Sequence, residues 1–341
     1  MGRNLMKMWH CNYGQLVGIS HGALTPCQDY AYSTTKHGVT VAVLSDGCGS
    51  SALSQYGSKA TCDAVVDLFT NDFNRIIKLN PFELRKLIVD SIIKNILTTV
   101  NNNFSVFEQY RNNDPKAQNL IMKTSLENYY LSLTYATVLF VACKDNIAYV
   151  GQIGDGVVGI IENNKLKIYL EEDKEGEINV TTYPANIYTL GKENVNWYKS
   201  NNFRLNRIKI NDVSGFVLTS DGVDALFDKR TRGQCKYSNG CVNLIRNIVK
   251  KCNFDKSQRY LNNLLIGIVQ RSTHYDDCSI SVIAKKNAII DGKIVKDYIN
   301  NSNNLIEPLN IQYKKMYIRK IHNGRIKYKS SGYINISRTK K

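Results

Sequence analysis

Two phrases, "VLSDG" at residues 43–47 and "VLTSDG" at 217–222, run an apolar, β-branched stretch straight into Ser-Asp-Gly, with 175 residues between their aspartates. Asp29 in "PCQDY", Asp155 in "IGDGV" and one of the pair Asp276 and Asp277 in "HYDDCS" likewise stand at apparent strand ends or tight turns. Ending an apolar strand on a carboxylate is costly unless something cationic neutralises several of them together. Asp46, Asp155 and Asp221 are each followed by Gly, which lets the backbone turn sharply and approach a ligand closely. A fold for this chain must therefore bring distant strand ends to one place.

The runs between these aspartates indicate how. Residues 14–20, 30–35 and 39–44 are short, β-branched and separated by Gly, Pro or polar residues, which predicts antiparallel strands. A helix follows, with Ser50 or Ser51 as cap and Leu53, Tyr56, Ala60, Ala64 and Leu68 at three- and four-residue spacing. "NPFE" starts the next helix, with Asn80 as N-cap, Pro81 in the first helical position and Glu83 in the acidic first turn. The polar, Asn-rich stretch 101–116 reads as a loop, and 117–133 as a third helix. Strands return at 135–143, 147–153, 157–161 and 165–170. Residues 171–203 begin acidic ("EEDKEGE") and carry no clean period, which marks a surface insertion or flap. Strands are then expected at 207–210 and 215–219, helices near 223–232, 242–252 and 258–272, and a last strand at 278–284. This order is strands, helices, strands, helices, strand, and favours an α+β layer architecture with antiparallel sheets over a doubly wound parallel sheet.

At 341 residues and 43% hydrophobic, the chain can bury a full core. No run matches the roughly 18 apolar residues of a membrane span, and "MGRNLMKMWH" lacks the apolar segment of a signal peptide, so a cytoplasmic protein is expected. The nine cysteines include no Cys-x-x-Cys pair, a pattern of reduced thiols rather than of a disulfide framework or zinc site. The formal charge of +16 is concentrated at the end: residues 285–341 hold 14 Lys/Arg against 3 Asp/Glu. Within that basic extension "MYIRKIHNGRIKYK" alternates around Asn-Gly and predicts a β-hairpin at 316–329. The tail reads first as a solvated basic hairpin or disordered segment and second as a docking surface for an acidic partner; nucleic acid is not expected, and no membrane contact is called for.

Carboxylates, with backbone carbonyls and waters, are hard oxygen ligands suited to magnesium or manganese. Two such ions about 3.5–4 Å apart can clamp both ends of an in-line attack at phosphorus. Spacing alone thus reaches metal-dependent phosphate chemistry and stops there.

"SHGALTPCQD" (20–29), "SDGCG", "ATV" leading into "GDG", "TSDGV" and "DDCS", in this order, resemble the metal-dependent protein phosphatases of type 2C, nearest to a bacterial branch. The resemblance covers about residues 14–284. It implies a four-layer α-β-β-α sandwich of two antiparallel sheets flanked by helices, forming a phosphatase domain over 1–284, with 171–203 as its flap and 285–341 as the basic extension. It implies two manganese or magnesium ions, with Asp46 bridging, the Gly47 carbonyl on one ion, and Asp29, Asp221 and Asp276 completing the shells. Asp276 is favoured over Asp277 by its place in the motif. Asp155 with Asp221 would support a third, weaker ion. The implied reaction is hydrolysis of protein phosphoserine or phosphothreonine by metal-bound water, without a phosphoenzyme and without a cysteine nucleophile. Cys27, Cys48 and Cys278 are accordingly expected to be packing residues.

Three positions depart from that pattern. Where many members carry an Arg to grip phosphate this chain has Leu24, leaving His21, Lys59, Arg204 or Arg207 as substitutes, with His21 the phosphate-binding candidate. Cys48 stands where eukaryotic members have a His proposed as general acid. Ala225 replaces an acidic residue, with Asp224 one step early, at the third metal. An active phosphatase competes with two other readings: a pseudophosphatase that binds partners through its flap or tail, and a manganese-dependent hydrolase of a non-protein phosphoester.

Overall fold

The computed structural model describes residues 9–18, 25–163, 165–170, 181–199, 203–226, 259–263, 265–266 and 276–285. Ten strands form two five-stranded antiparallel sheets. One contains β2 (Tyr30–Lys36), β3 (Val39–Ser45), β4 (Val138–Lys144), β5 (Ile147–Ile153) and β8 (Phe203–Lys209) in that order. The other runs β1 (Trp9–Leu16), β10 (Cys278–Lys285), β9 (Val213–Thr219), β6 (Val157–Glu162) and β7 (Lys165–Leu170). The first strand lies earlier than the apolar pattern predicts. Its register is set by β10, which pairs Trp9 with Lys285 and Leu16 with Cys278.

Alternation in β3 explains why every residue of that strand is buried. Val39, Val41 and Val43 face helices, while Ala42 and Leu44 face the other sheet among Leu139, Val150, Phe216 and Leu218. With side chains alternating across a strand, only a sheet covered on both sides reads as a continuous apolar run. The helix layer on its outer face is α1 (Ser54–Ile76) and α2 (Pro81–Asn102). There Phe69 packs against Phe140 and Tyr149, with ring centroids 5.1 and 5.8 Å away. The opposite helix layer is expected within 223–272. There residues 259–263 and 265–266 are helical, with Leu261 and Leu265 buried; the helix expected at 242–252 lies outside the described residues.

Helix starts follow local chemistry unevenly. Asn80 caps α2 as expected, its Oδ1 accepting from the Phe82 and Glu83 N–H groups at 3.0 Å while Glu83 accepts from the Asn80 N–H. Asn80→Ala should lower stability by about 1 kcal/mol, measured by urea denaturation; an unchanged midpoint would contradict this. By contrast, neither Ser50 nor Ser51 caps α1. Its N-cap is Leu53 without a side-chain bond, because the Ser51 hydroxyl donates instead to the Ser132 carbonyl.

The expected loop at 101–116 is largely helical. After a break at Asn103, α3 (Phe104–Asn113) buries Phe107 between Tyr56 and Tyr130, and Arg111 pairs with Glu108 at 2.5 Å. One well-buried aromatic outweighs an unfavourable Asn-rich composition. The predicted third helix divides into α4 (Ala117–Lys123) and α5 (Leu126–Leu133), because extended Ser125 caps the second by accepting from the Asn128 N–H. Residues 171–180 of the expected flap lie outside the described residues. Its later part forms α6 (Pro184–Glu193) and a 3-10 turn at Val195–Lys199, burying Ala185, Ile187 and Tyr198 against the helix layer. The tail, with its expected hairpin at 316–329, also lies outside the described residues.

Candidate active site

Asp46 follows β3 directly and Asp155 sits in the turn between β5 and β6. Asp221 follows β9, and Asp29 and Asp277 immediately precede β2 and β10. Antiparallel pairing brings these ends together. Thr137, just before β4, is the hinge. Its N–H donates to the Asp46 carbonyl at 2.8 Å, its Oγ1 accepts from the Asp46 N–H at 3.0 Å, and its carbonyl accepts from the Ser45 hydroxyl at 2.5 Å. Two glycines permit the closeness. A Cβ on Gly47 would lie 2.5 Å from the Gln28 carbonyl oxygen, beside Asp29. Gly156 has φ +91°, which other residues rarely adopt, and its Cβ would lie 2.8 Å from the Thr219 carbonyl oxygen, two residues before Asp221.

Electrostatics report the same convergence. Asp29 is 1% exposed, and neither of its carboxylate oxygens has a hydrogen-bond donor in good geometry. Burial, together with the neighbouring Asp277, pushes its pKa up to about 7, although Ser279, Asp46 and Ser220 are near enough to hold it down in part. Asp46 keeps a partly accessible edge. Desolvation, and then the charges of Asp29, Asp221 and Asp155, raise its pKa well above the carboxylate range. Three carboxylates from separate elements thus disfavour the charged form of Asp46.

An acid whose folded pKa lies above its unfolded value of about 3.9 holds protons in the native state that it releases on unfolding. Metal-free stability should therefore fall as pH rises from about 4 through about 7. Urea denaturation in excess EDTA should show the wild type losing stability relative to Asp29→Asn across that window. A constant difference would contradict the placement of Asp29.

The two adjacent aspartates separate clearly. Asp277 is 2% exposed and accepts from the Gly18 N–H at 2.7 Å and the Gln28 N–H at 2.6 Å, so both its oxygens brace the chain beside Asp29. Asp276 is exposed, with one oxygen accepting from the Asp277 N–H. His21 and Leu24 lie outside the described residues. Of the other bases considered for phosphate, Lys59 pairs with Asp63, and Arg207 donates to the Ile77 carbonyl at 3.2 Å.

Sequence reasoning missed Thr181 and Tyr183, which carry the end of the insertion over the acidic cluster. The Thr181 hydroxyl is 3.4 Å from an Asp155 oxygen, and Tyr183 stacks on Tyr135 with centroids 5.0 Å apart. Burial, and then neighbouring Cys48, Asp155 and Asp46, push the Tyr183 phenol far above its usual range. Burial raises the Cys27 and Cys278 thiols far above their usual range. Cys48 departs from the expectation of an ordinary packing thiol. Burial raises its pKa too, but hydrogen bonds involving Ser50, Tyr183 and Ser51 outweigh that and leave it lowered. Tyr183 is 135 residues away, so no reading of the local sequence could have found this.

The donor set fits a hard divalent cation: carboxylate oxygens from four elements, including two orphaned oxygens on Asp29. Among the described residues, no group of three His, Cys, Asp or Glu side chains stands as a ready-made metal cluster.

A family model for Protein phosphatase 2C matches residues 18–265. The chain belongs to the Protein phosphatase 2C family. The α+β sandwich of two antiparallel sheets is the fold expected of that family, and the match spans both Ser-Asp-Gly phrases. No curated protein matches this phosphatase 2C chain. Solved structures similar to it include the Mycobacterium tuberculosis serine/threonine phosphatase PstP/Ppp, at 12% identity and TM-score 0.48, over 82% of this chain and 99% of that one. The S. agalactiae serine/threonine phosphatase is similar at 13% and 0.46, over 82% and 100%. PppA of Pseudomonas aeruginosa, described as a key regulatory component of T6SS, is similar at 11% and 0.48, over 82% and 99%. Superpositions this loose add nothing to the family assignment. No helix among the described residues is long and apolar enough to cross a membrane.

Proposed function

We propose that this chain is a metal-dependent protein phosphatase that hydrolyses phosphoserine and phosphothreonine esters in the cytoplasm and so reverses a kinase. The observation that carries the reading is the convergence of Asp29, Asp46, Asp155 and Asp221 at one end of the two sheets, where the other three carboxylates disfavour the charge on Asp46. Asp46 and the Gly47 carbonyl would hold a pair of manganese or magnesium ions, with Asp29, Asp221 and Asp276 completing their shells and Asp155 serving a third. Such ions supply Lewis-acid chemistry, lowering the pKa of water and neutralising phosphoryl oxygens.

The protein's own part is mostly positional. Thr137 fixes the Asp46 turn through backbone bonds at both N–H and C=O, so the carboxylate is aimed without relying on its own hydrogen bonds. Asp277 locks Gln28, and with it Asp29, against the start of β10. Cys48, two residues after Asp46 and with its Sγ 3.1 Å from the Ser50 hydroxyl, stands at the position where the resemblance calls for a general acid, and its S–H is offered to the leaving seryl or threonyl oxygen. The thiol is not required as a nucleophile.

Matched phosphoserine, phosphothreonine and phosphotyrosine peptides with Mn²⁺ test the reading. Phosphate should be released from the first two, and excess EDTA should abolish release. Turnover that survives chelation, or a preference for phosphotyrosine, would contradict it.

A further inference from the structure

Away from the acidic cluster, α2, α6 and the Val195–Lys199 turn enclose a cleft of about 630 Å³. Its floor is aromatic and aliphatic: Phe82 meets Tyr198 edge-on with centroids 6.1 Å apart, and Ile93 and Leu97 line one wall. Its rim carries Lys86, paired with Asp90 at 2.5 Å, Lys192, paired with Glu127 at 3.3 Å, and Lys94. Lys192 Nζ lies 4.0 Å from the Tyr188 ring centroid and Lys86 Nζ 5.9 Å from that of Tyr198, so their ammonium groups sit over the aromatic floor. Val195, at the lip, is 56% exposed. A cleft of this size with an apolar floor and a few polar groups has the character of a binding site.

We propose that this cleft docks an acidic segment of a protein substrate through one apolar anchor residue, a proposal that takes the phosphatase reading as its starting point. Charge selects the occupant: three lysines against the two carboxylates of Asp90 and Glu127 leave a positive excess, centred on Lys94, that favours a negatively charged segment and repels the chain's own basic tail. Position links it to the candidate active site. The helix that forms one wall, α6, starts immediately after Tyr183, which stacks on Tyr135 and lies two residues after Thr181, whose hydroxyl is 3.4 Å from an Asp155 oxygen. From Tyr183 to Lys192 the helix advances about 13 Å, at about 1.5 Å per residue. An extended peptide covers about 3.3 Å per residue. The docking anchor should therefore lie at least about four residues from the phosphorylated serine or threonine.

Binding is measured by fluorescence anisotropy with the full chain and fluorescein-labelled, unphosphorylated acidic peptides, each bearing one Leu, Ile, Phe or Trp. At least one peptide should bind the wild type. Lys94→Glu with Lys192→Glu should weaken it at least about tenfold, and Lys94→Gln with Lys192→Gln by less, which guards against disruption of the Lys192–Glu127 pair. Lys123→Glu on α4 changes charge equally and should leave affinity within about twofold. Failure of every peptide to bind, equal losses in Lys123→Glu, or equal binding when the apolar residue is replaced by Ser would each overturn the proposal. Hydrolysis of p-nitrophenyl phosphate with Mn²⁺ is read in parallel and should be the same in all these proteins. Cleft-dependent binding without hydrolysis would refute the phosphatase reading and keep the docking site. Hydrolysis without cleft-dependent binding would overturn docking alone.

Discussion

Asp46→Asn should abolish phosphatase turnover while making the metal-free protein more stable. The backbone at this position is held by Thr137 from both sides, so the substitution leaves the frame in place and removes only charge. Without metal, that charge sits among Asp29, Asp221 and Asp155, each of which disfavours it. Its neutral replacement should add about 1–2 kcal/mol at alkaline pH, the trade-off expected where a functional site is built against stability. For a domain of this size each kcal/mol corresponds to about 2–4 °C in Tm. Activity should move the other way, by about a thousandfold or more, equivalent to ~4 kcal/mol of barrier, because an amide cannot replace a bridging carboxylate. Calorimetry in EDTA and phosphate release with Mn²⁺ read the two effects separately. Loss of both stability and activity would mean that Asp46 is a structural residue; retention of activity would remove it from the chemistry.

Manganese should reverse the electrostatic problem in the wild type. A cation that binds only the folded state at about one hundred times its Kd stabilises by about 2.7 kcal/mol, hence roughly 5–10 °C in Tm by the same scaling. Ligation also requires ionised carboxylates, so metal should convert the fall in stability with rising pH into a gain. Asp46→Asn and Asp221→Asn should lose most of the shift. An equal shift in all three proteins would locate the binding elsewhere, for instance among surface carboxylates.

The aspartates were legible because each is a local event: a carboxylate at the end or start of a strand and, at Asp46, Asp155 and Asp221, a glycine after it. Antiparallel sheets followed from the order of the apolar runs, and their number from the family resemblance. What escaped depends on contacts between distant segments. Phe107 makes a helix of an Asn-rich stretch only because Tyr56 and Tyr130 enclose it. Ser125 divides one amphipathic segment in two by capping, and Ser51 gives up its capping role to the Ser132 carbonyl. Within the site, adjacent Asp276 and Asp277 are chemically identical in the sequence. Only the Gly18 and Gln28 N–H groups, brought in from the other end of the chain, distinguish the buried brace from the exposed carboxylate. The Cys48–Tyr183 contact is of the same kind, a pairing created by an insertion that carries no clean period.

Anomalous diffraction from crystals grown with Mn²⁺ tests the metal centre most directly, provided the same preparation releases phosphate from a phosphothreonine peptide. A pair of manganese peaks flanking the Asp46 carboxylate is expected, as in other two-metal hydrolytic sites, with both absent from Asp46→Asn crystals. Manganese that supports turnover but scatters nowhere near Asp46 and Asp221 would contradict the proposed centre.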